Sequence, residues 1–128
     1  MDKKVKYWVE ISEYDFETAK AMLKSKRYLY VGFMCHQAVE KILKAYYVSL
    51  KKSQPKFTHR LTYLTESTDI ENQLSNEQKF FIDELEPLNI EARYPTYKDK
   101  LFKKLSFQKC KEIIKSTKEF CQWIKEKL

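Results

Sequence analysis

The chain has 128 residues, a length that fits one domain. Its 43% apolar and 15% aromatic content is too high for a disordered chain, and its 34% charged content is too high for a membrane-spanning protein. Gly32 is the one glycine, whereas P-loops and dinucleotide-binding turns need several glycines close together. The composition therefore predicts one mostly helical domain over residues 1–128 and excludes both kinds of glycine-rich phosphate loop.

The net charge of +7 is concentrated at the end of the chain. Residues 1–97 hold 15 Lys or Arg and 14 Asp or Glu, whereas residues 98–128 hold 10 lysines and 4 acids. Such a basic stretch favours an anionic partner, namely nucleic acid, a nucleotide or an acidic protein surface. The alternative is an ordinary solvated helix face that is rich in lysine.

The cysteines and histidines predict neither disulfides nor a metal site. Cys35, Cys110 and Cys121 are odd in number and fall in apolar-periodic segments, which is typical of reduced core residues. His36 and His59 do not have the spacing of zinc ligands, so no metal or cofactor is expected. The first ten residues lack the apolar stretch of a secretory signal, so we expect a cytoplasmic protein that has no membrane association.

The first half of the chain predicts two long antiparallel helices. Apolar residues recur every three or four positions from roughly Lys3 to Ser25, and Asp15 falls within this apolar stripe. A second helix, roughly Leu29 to Leu50, is apolar on one half of its circumference. Its other half carries a narrow polar strip that consists of His36, Gln37, Glu40, Lys41 and Lys44.

Shorter elements are predicted in the middle of the chain. Thr58 can cap a short helix from His59 to about Glu66, and residues 67–74 have the composition of a loop. Ser75 and Gln78 form a capping-box pattern that opens a helix through Leu88. Pro87 lies inside this helix, so a kink is expected near Asp83.

The last quarter predicts a loop and a long amphipathic helix. Pro95 disfavours helix at Tyr94, so Arg93 to Lys100 is predicted to be a loop. Apolar periodicity then predicts a helix from roughly Ser106 to Lys127. The expected result is an all-α chain with four main helices and one short helix.

Three sequence blocks carry a family resemblance. They are CHQAVEKILKA at 35–45, FTHRL at 57–61 and IEARYP at 90–95, and Trp8 and Asp15 fit the first helix. Together they resemble the HEPN domain family, in its small stand-alone bacterial and archaeal form. The resemblance implies an up-and-down helical bundle, a homodimer and a role linked to nucleotides or RNA. It also implies a minimal nucleotidyltransferase as partner in a two-component, toxin–antitoxin-like system.

The resemblance breaks at one catalytic position. Many HEPN proteins are metal-independent ribonucleases that use an arginine and a histidine a few residues after it. Arg93 takes the arginine position, but the window that follows holds Tyr97, Lys98, Asp99 and Lys100. Because proton transfer near neutral pH needs a group such as histidine, we predict a binding protein that is not an enzyme. The alternative is a ribonuclease toxin that pairs Arg93 with His59 or Lys98.

The predicted nucleotide- or RNA-binding residues come from four parts of the chain. They are Asp15, Glu40, Lys41, Lys44, His59, Arg93, Tyr97 and Lys98. Structural duties remain open for each of them, such as ordinary ion pairs for the two lysines and a backbone hydrogen bond for His59. Asp15 lies among apolar residues, so its carboxylate needs a partner, for which Arg93, Lys41 and Lys44 are the candidates. Such a pair would join the first helix to the second helix or to the loop.

A third interpretation involves only protein contacts. Trp8, Trp123, nine tyrosines and eight phenylalanines exceed what a four-helix core needs. A helix–helix dimer that buries some of them is therefore plausible, with the basic end of the chain as plain surface.

Overall fold

The computed structural model describes residues 1–91, 100 and 103–128, including all of their side chains except those of residues 90 and 91. This part of the chain forms helices and contains no strand. The helices are α1 Lys3–Lys24, α2 Tyr28–Lys51, α3 Leu61–Glu66, a 3-10 helix Asp69–Gln73, α4 Asn76–Leu85, α5 Leu88–Glu91 and α6 Phe107–Lys125. The predicted all-α helical bundle is confirmed, and the predicted bounds of α1 and α2 agree with the structure to one residue.

Contacts between the long helices set their directions. A tight turn makes α1 and α2 antiparallel, and the Ser12 hydroxyl on α1 donates to the Ala38 carbonyl on α2. The start of α6 meets the start of α2 through Cys110 and Tyr28, so these two helices run the same way. On α4, Glu84 contacts Lys109 of α6, and the earlier Phe81 contacts the later Phe120. Helices α4 and α6 are therefore antiparallel. The directions therefore alternate along the chain, as in an up-and-down bundle.

The apolar half of α2 is the centre of the core. Gly32 lets this helix approach its neighbours closely, because a Cβ there would lie 3.0 Å from a Leu88 methyl and 3.3 Å from a Leu105 methyl. The three cysteines are free and buried, as predicted. Burial raises the pKa of the Cys35 and Cys121 thiols to about 12. No helix in the described ranges is long and apolar enough to cross a membrane.

The α3 helix begins two residues later than predicted, at Leu61. Thr58 accepts a hydrogen bond from the Arg60 amide, but the first amides of α3 bind a distant side chain instead. The Glu86 carboxylate accepts from the amides of Leu61 at 2.8 Å and Thr62 at 3.3 Å. The expected local cap was wrong because a carboxylate from the α4–α5 connection reaches the same groups.

Two further differences concern the middle of the chain. The predicted loop at 67–74 contains the 3-10 helix Asp69–Gln73, whose Ile70 is fully buried. The capping box of Ser75 and Gln78 is present, but the helix that it opens ends at Leu85. A new helix starts directly after Pro87. The predicted kink near Asp83 is therefore replaced by a break between two separate helices.

The predicted loop Arg93–Lys100 lies outside the described residues except for Lys100, which is helical. The predicted loop was therefore wrong at Lys100. Farther on, the Ser106 side chain caps α6 by accepting from the Lys109 amide. This helix ends at Lys125, two residues before its predicted end.

Candidate functional site

The polar strip of α2 is buried. His36 and Glu40 have no exposed surface, and Gln37 and Lys44 are also buried. Their partners come from α1, from α5, from the α2–α3 connection and from the α4–α5 connection, and Nε2 of His36 has no hydrogen-bond partner within the described part of the chain. The ordinary solvated helix face that the sequence also allowed is therefore excluded for these residues.

Glu40 is the centre of this cluster. Its Oε2 accepts a 2.9 Å hydrogen bond from the Lys44 ammonium, and Lys41 Nζ lies 3.9 Å from the same oxygen. Its Oε1 lies 3.0 Å from Nδ1 of His59. Because a carboxylate only accepts, Nδ1 of His59 carries the hydrogen and donates it. Glu40 therefore joins two lysines to a half-buried histidine from another segment.

Asp15 joins the cluster from α1. Its Oδ2 lies 3.4 Å from Nζ of Lys41, and the same ammonium donates to the Gln37 side-chain oxygen at 2.8 Å. Burial raises the pKa of the Asp15 carboxyl, although Lys41 acts in the opposite direction. Of the three partners considered for Asp15, the structure places Lys41 beside it.

Asn89 joins the network from α5. Nε2 of Gln37 donates to Oδ1 of Asn89 at 2.9 Å, which ties α2 to α5. Helix α5 leads into the segment that contains Arg93, Tyr97 and Lys98, and these three predicted site residues lie outside the described residues. Asn89 was not among the predicted site residues, since no local pattern marks a contact that spans 52 positions.

His36 lies between two carboxylates. Its Nδ1 is 3.9 Å from Oε1 of Glu40, and its Nε2 is 3.8 Å from Oε2 of Glu86. Burial acts to raise the pKa of Glu86, but the His36 imidazole and the amides and hydroxyl at the start of α3 lower it overall. Glu86 was not predicted to belong to the cluster.

Aromatic rings border the cluster. Nζ of Lys44 lies 5.2 Å from the centre of the Trp8 ring and 5.9 Å from that of Phe57. The Trp8 indole donates to the Gln54 side chain at 3.1 Å, and the Phe57 ring is 87% exposed. The ammonium of the buried Lys44 therefore lies beside two aromatic rings, and the exposed Phe57 ring is a surface of the kind on which nucleobases stack.

A sequence model described as the HEPN domain matches residues 5–128. The chain belongs to the HEPN domain family. The crystal structure of TT1696 from Thermus thermophilus shares the fold, with a TM-score of 0.83 and 19% identity. The alignment covers 99% of this HEPN chain and 100% of that chain. No curated protein matches the sequence.

Family membership supports a nucleotide- or RNA-related function in broad terms. Two of the blocks that carried the resemblance meet in space in this HEPN chain, because Glu40 of the first block holds His59 of the second. Asn89 directly precedes the third block. The candidate site is therefore the place where two of the three distinctive segments of the sequence converge.

Carboxylates compensate both lysines of the described cluster. Lys41 and Lys44 face Asp15 and Glu40, so neither ammonium is free to neutralise a phosphate at full strength. Within the described ranges, no group of three or more His, Cys, Asp or Glu side chains could hold a metal ion. Chemically, the arrangement offers an imidazole that a carboxylate orients, beside exposed aromatic surface.

Proposed function

We propose that this HEPN protein binds a nucleotide or RNA without cleaving it. The binding residues are Asp15, Glu40, Lys41, Lys44 and His59 of the cluster, together with Arg93, Tyr97 and Lys98. The observation that carries the proposal is the convergence of Lys41, Lys44 and His59 on the buried Glu40. A buried charge cluster stabilises a fold little compared with apolar packing, so its presence supports a functional role.

Arg93 supplies the cation that the cluster lacks. Because Lys41 and Lys44 are compensated by carboxylates, phosphate binding needs a positive charge from elsewhere. Arg93 follows Asn89 by four residues, and Asn89 is tied to the polar strip. A guanidinium binds phosphate oxygens in a two-pronged geometry, which suits this duty.

The absence of cleavage rests on the residues after Arg93. Tyr97, Lys98, Asp99 and Lys100 occupy the window in which the family's ribonucleases carry histidine. A lysine there would need its pKa lowered by several units to exchange protons near neutral pH. We therefore assign binding to this protein and no catalytic step.

The proposal includes a homodimer and a protein partner. The resemblance implies both, the partner being a minimal nucleotidyltransferase in a two-component, toxin–antitoxin-like system in the cytoplasm. Exposed aromatic side chains such as Tyr14 and Phe80 support an association surface on the single folded domain. A gene for a minimal nucleotidyltransferase beside this one would support the partner, and a monomer at micromolar concentration in sedimentation would contradict the dimer.

One observation favours a second candidate function, a metal-independent ribonuclease. Glu40 lies 3.0 Å from Nδ1 of His59 and orients the imidazole, whose side chain is 34% exposed. A histidine that a carboxylate holds in this way can exchange protons with a substrate hydroxyl. His59 would then replace the histidine that is missing after Arg93.

One experiment tests both functions. The purified protein is mixed with a labelled RNA without metal ions, binding is followed by fluorescence anisotropy, and the RNA is then examined on a gel. We expect binding without cleavage, and binding about tenfold or more weaker for Arg93→Ala, which removes a charged hydrogen-bond donor. Lys118→Gln, an exposed change on α6, is the control and leaves binding unchanged. Cleavage that is lost in His59→Ala would establish the ribonuclease instead.

A further inference from the structure

The end of α2 and its connection to α3 carry positive charges that no acid of the segment compensates. Residues 51–60 read KKSQPKFTHR, with four cations and no acid. Lys51, Lys52, Lys56 and Arg60 are all exposed, and none of them forms an ion pair within the part of the chain that the structure describes. This segment therefore differs from the neighbouring cluster, where carboxylates neutralise the lysines.

The most exposed aromatic ring of the described residues lies among these cations. Phe57 is 87% exposed, compared with 76% for Tyr14 and 69% for Phe80. Transfer of a phenylalanine ring out of water is favourable, so a ligand that covers the Phe57 ring would be stabilised there. Lys56 precedes Phe57 directly, and Arg60 follows three residues later.

The segment is anchored on both sides of Phe57. Before it, Gln54 accepts a hydrogen bond from the Trp8 indole of α1. After it, His59 is held by Glu40, and the Phe57 ring meets the His59 ring edge-on at 5.1 Å. The exposed ring is therefore presented by a fixed stretch of backbone, which lowers the conformational entropy that binding would cost.

We infer that residues 51–60 form a surface for single-stranded nucleic acid, on which one base stacks on Phe57 and Lys52, Lys56 and Arg60 contact the phosphates. This inference rests on the proposed function and names its ligand class. A base must be unpaired to stack on a side chain, which excludes a continuous duplex. Cations on both sides of the ring suit a strand with several phosphates better than a single nucleotide.

From the sequence, base stacking and phosphate contacts are also predicted at Tyr97 and Lys98. Among the described residues, an exposed aromatic ring and cations without ion pairs occur together at residues 51–60, next to His59, which Glu40 holds. Nζ of Lys56 lies 4.3 Å from the centre of the Tyr63 ring. Nζ of Lys44 lies 5.9 Å from the Phe57 ring centre, so the surface adjoins the candidate site. A strand bound at Phe57 would therefore lie beside Lys44 and His59 of the polar cluster.

The test compares variants of two exposed phenylalanines. Binding of a labelled single-stranded RNA of mixed sequence, and of the same strand paired with its complement, is measured by anisotropy at several salt concentrations. We expect the single strand to bind more tightly than the duplex, and Phe57→Ala to bind the strand about 5- to 100-fold more weakly. Phe57→Trp retains binding, and Phe80→Ala, the matched control, is unchanged. Circular dichroism checks that each variant is folded.

The cations are tested by salt dependence. Each lost phosphate contact lowers the slope of log affinity against log salt by about 0.7 for a single strand. The double variant Lys56→Gln, Arg60→Gln is therefore expected to lower the slope by about 1.4, whereas Lys115→Gln, Lys118→Gln on α6 leaves it unchanged. If only the α6 variant lowered this slope, the phosphates would contact α6 and not residues 51–60, and the inference would be overturned.

The outcomes separate this inference from the proposed function. Suppose that the unmodified protein binds RNA. If Phe57→Ala then binds as well as Phe80→Ala, or if the duplex binds as tightly as the single strand, the inferred surface at residues 51–60 is wrong and the proposed function stands. If the unmodified protein binds neither RNA nor nucleotide, both are wrong.

Discussion

At the scale of single residues, the charge of Glu40 matters most for the stability of the cluster. Its carboxylate has no exposed surface, and it faces Lys44 and His59 at hydrogen-bond distance. Removing one partner of a buried ion pair leaves the other charge without compensation in a medium of low polarity. The stability of the cluster therefore depends on Glu40 more than on any exposed acid.

We predict that Glu40→Gln lowers the free energy of unfolding by about 3–5 kcal/mol, because Lys44 then remains buried without its counter-charge. Urea unfolding followed by circular dichroism measures the change. Glu10→Gln is the control, since Glu10 and Lys6 form an exposed pair at 3.9 Å and such pairs contribute about 1 kcal/mol or less. Equal effects of the two substitutions would show that Glu40 is not the electrostatic centre of the cluster.

At the scale of secondary-structure elements, α3 depends on a tertiary contact. The helix has 6 residues, and a helix this short does not form in water unless it is held by contacts from outside. Glu86 supplies such a contact by accepting from the first amides of α3 and from the Thr62 hydroxyl. The same carboxylate lies beside His36, so the start of α3 and the polar strip share one group.

We predict that Glu86→Gln destabilises the protein by about 1–2 kcal/mol at neutral pH, the usual range for a lost helix cap. The pKa of Glu86 is lower in the folded state than in the unfolded state, so its stabilisation is present above the unfolded value, about 4.3. This stabilisation is lost as the pH falls through the lower, folded value. The variant should therefore lose less stability than the unmodified protein between neutral and acidic pH.

Thermal unfolding across this pH range measures the effect of Glu86→Gln. Glu119→Gln is the control, because Glu119 is exposed on α6 and has no ion pair in the described ranges. A pH profile of Glu86→Gln that runs parallel to that of the unmodified protein would contradict the assigned role of the carboxylate.

At the scale of the whole molecule, the thiols report on the packing of the bundle. Cys110 of α6 approaches the Tyr28 carbonyl of α2, and Cys121 of α6 lies 3.9 Å from the Ser12 hydroxyl of α1. Burial raises the pKa of Cys110 to about 11 and those of Cys35 and Cys121 to about 12. Reagents reach these sulfurs only when the helices separate.

We predict that all three thiols resist a disulfide reagent such as Ellman's reagent at pH 8 in the folded protein and react together in denaturant. The reaction is followed by absorbance, and its rate should rise with urea in parallel with global unfolding. Ser53→Cys, in the exposed α2–α3 connection, is the positive control and reacts at once. Rapid reaction of one native cysteine would show that the packing between α6 and its neighbours opens locally.

The long helices were predictable because their signals are local. Apolar periodicity placed α1, α2 and the start of α6, and the pattern of Ser75 and Gln78 placed the start of α4. The cap of α3 was not predictable, since Glu86 lies 25 positions from Leu61. The break after Leu85 was expected only as a kink, since the position of Pro87 alone does not decide between bending and ending a helix.

The candidate site divides in the same way. The sequence by itself determined that His36, Gln37, Glu40, Lys41 and Lys44 share one strip of α2, because helical geometry sets which residues lie on one face. Only the tertiary structure decided that this strip is buried, that Glu40 meets His59 and that Gln37 meets Asn89. The physical reason is that burial and hydrogen-bond partners depend on which segments lie close in space, and no local periodicity encodes a contact across 19 or 52 positions.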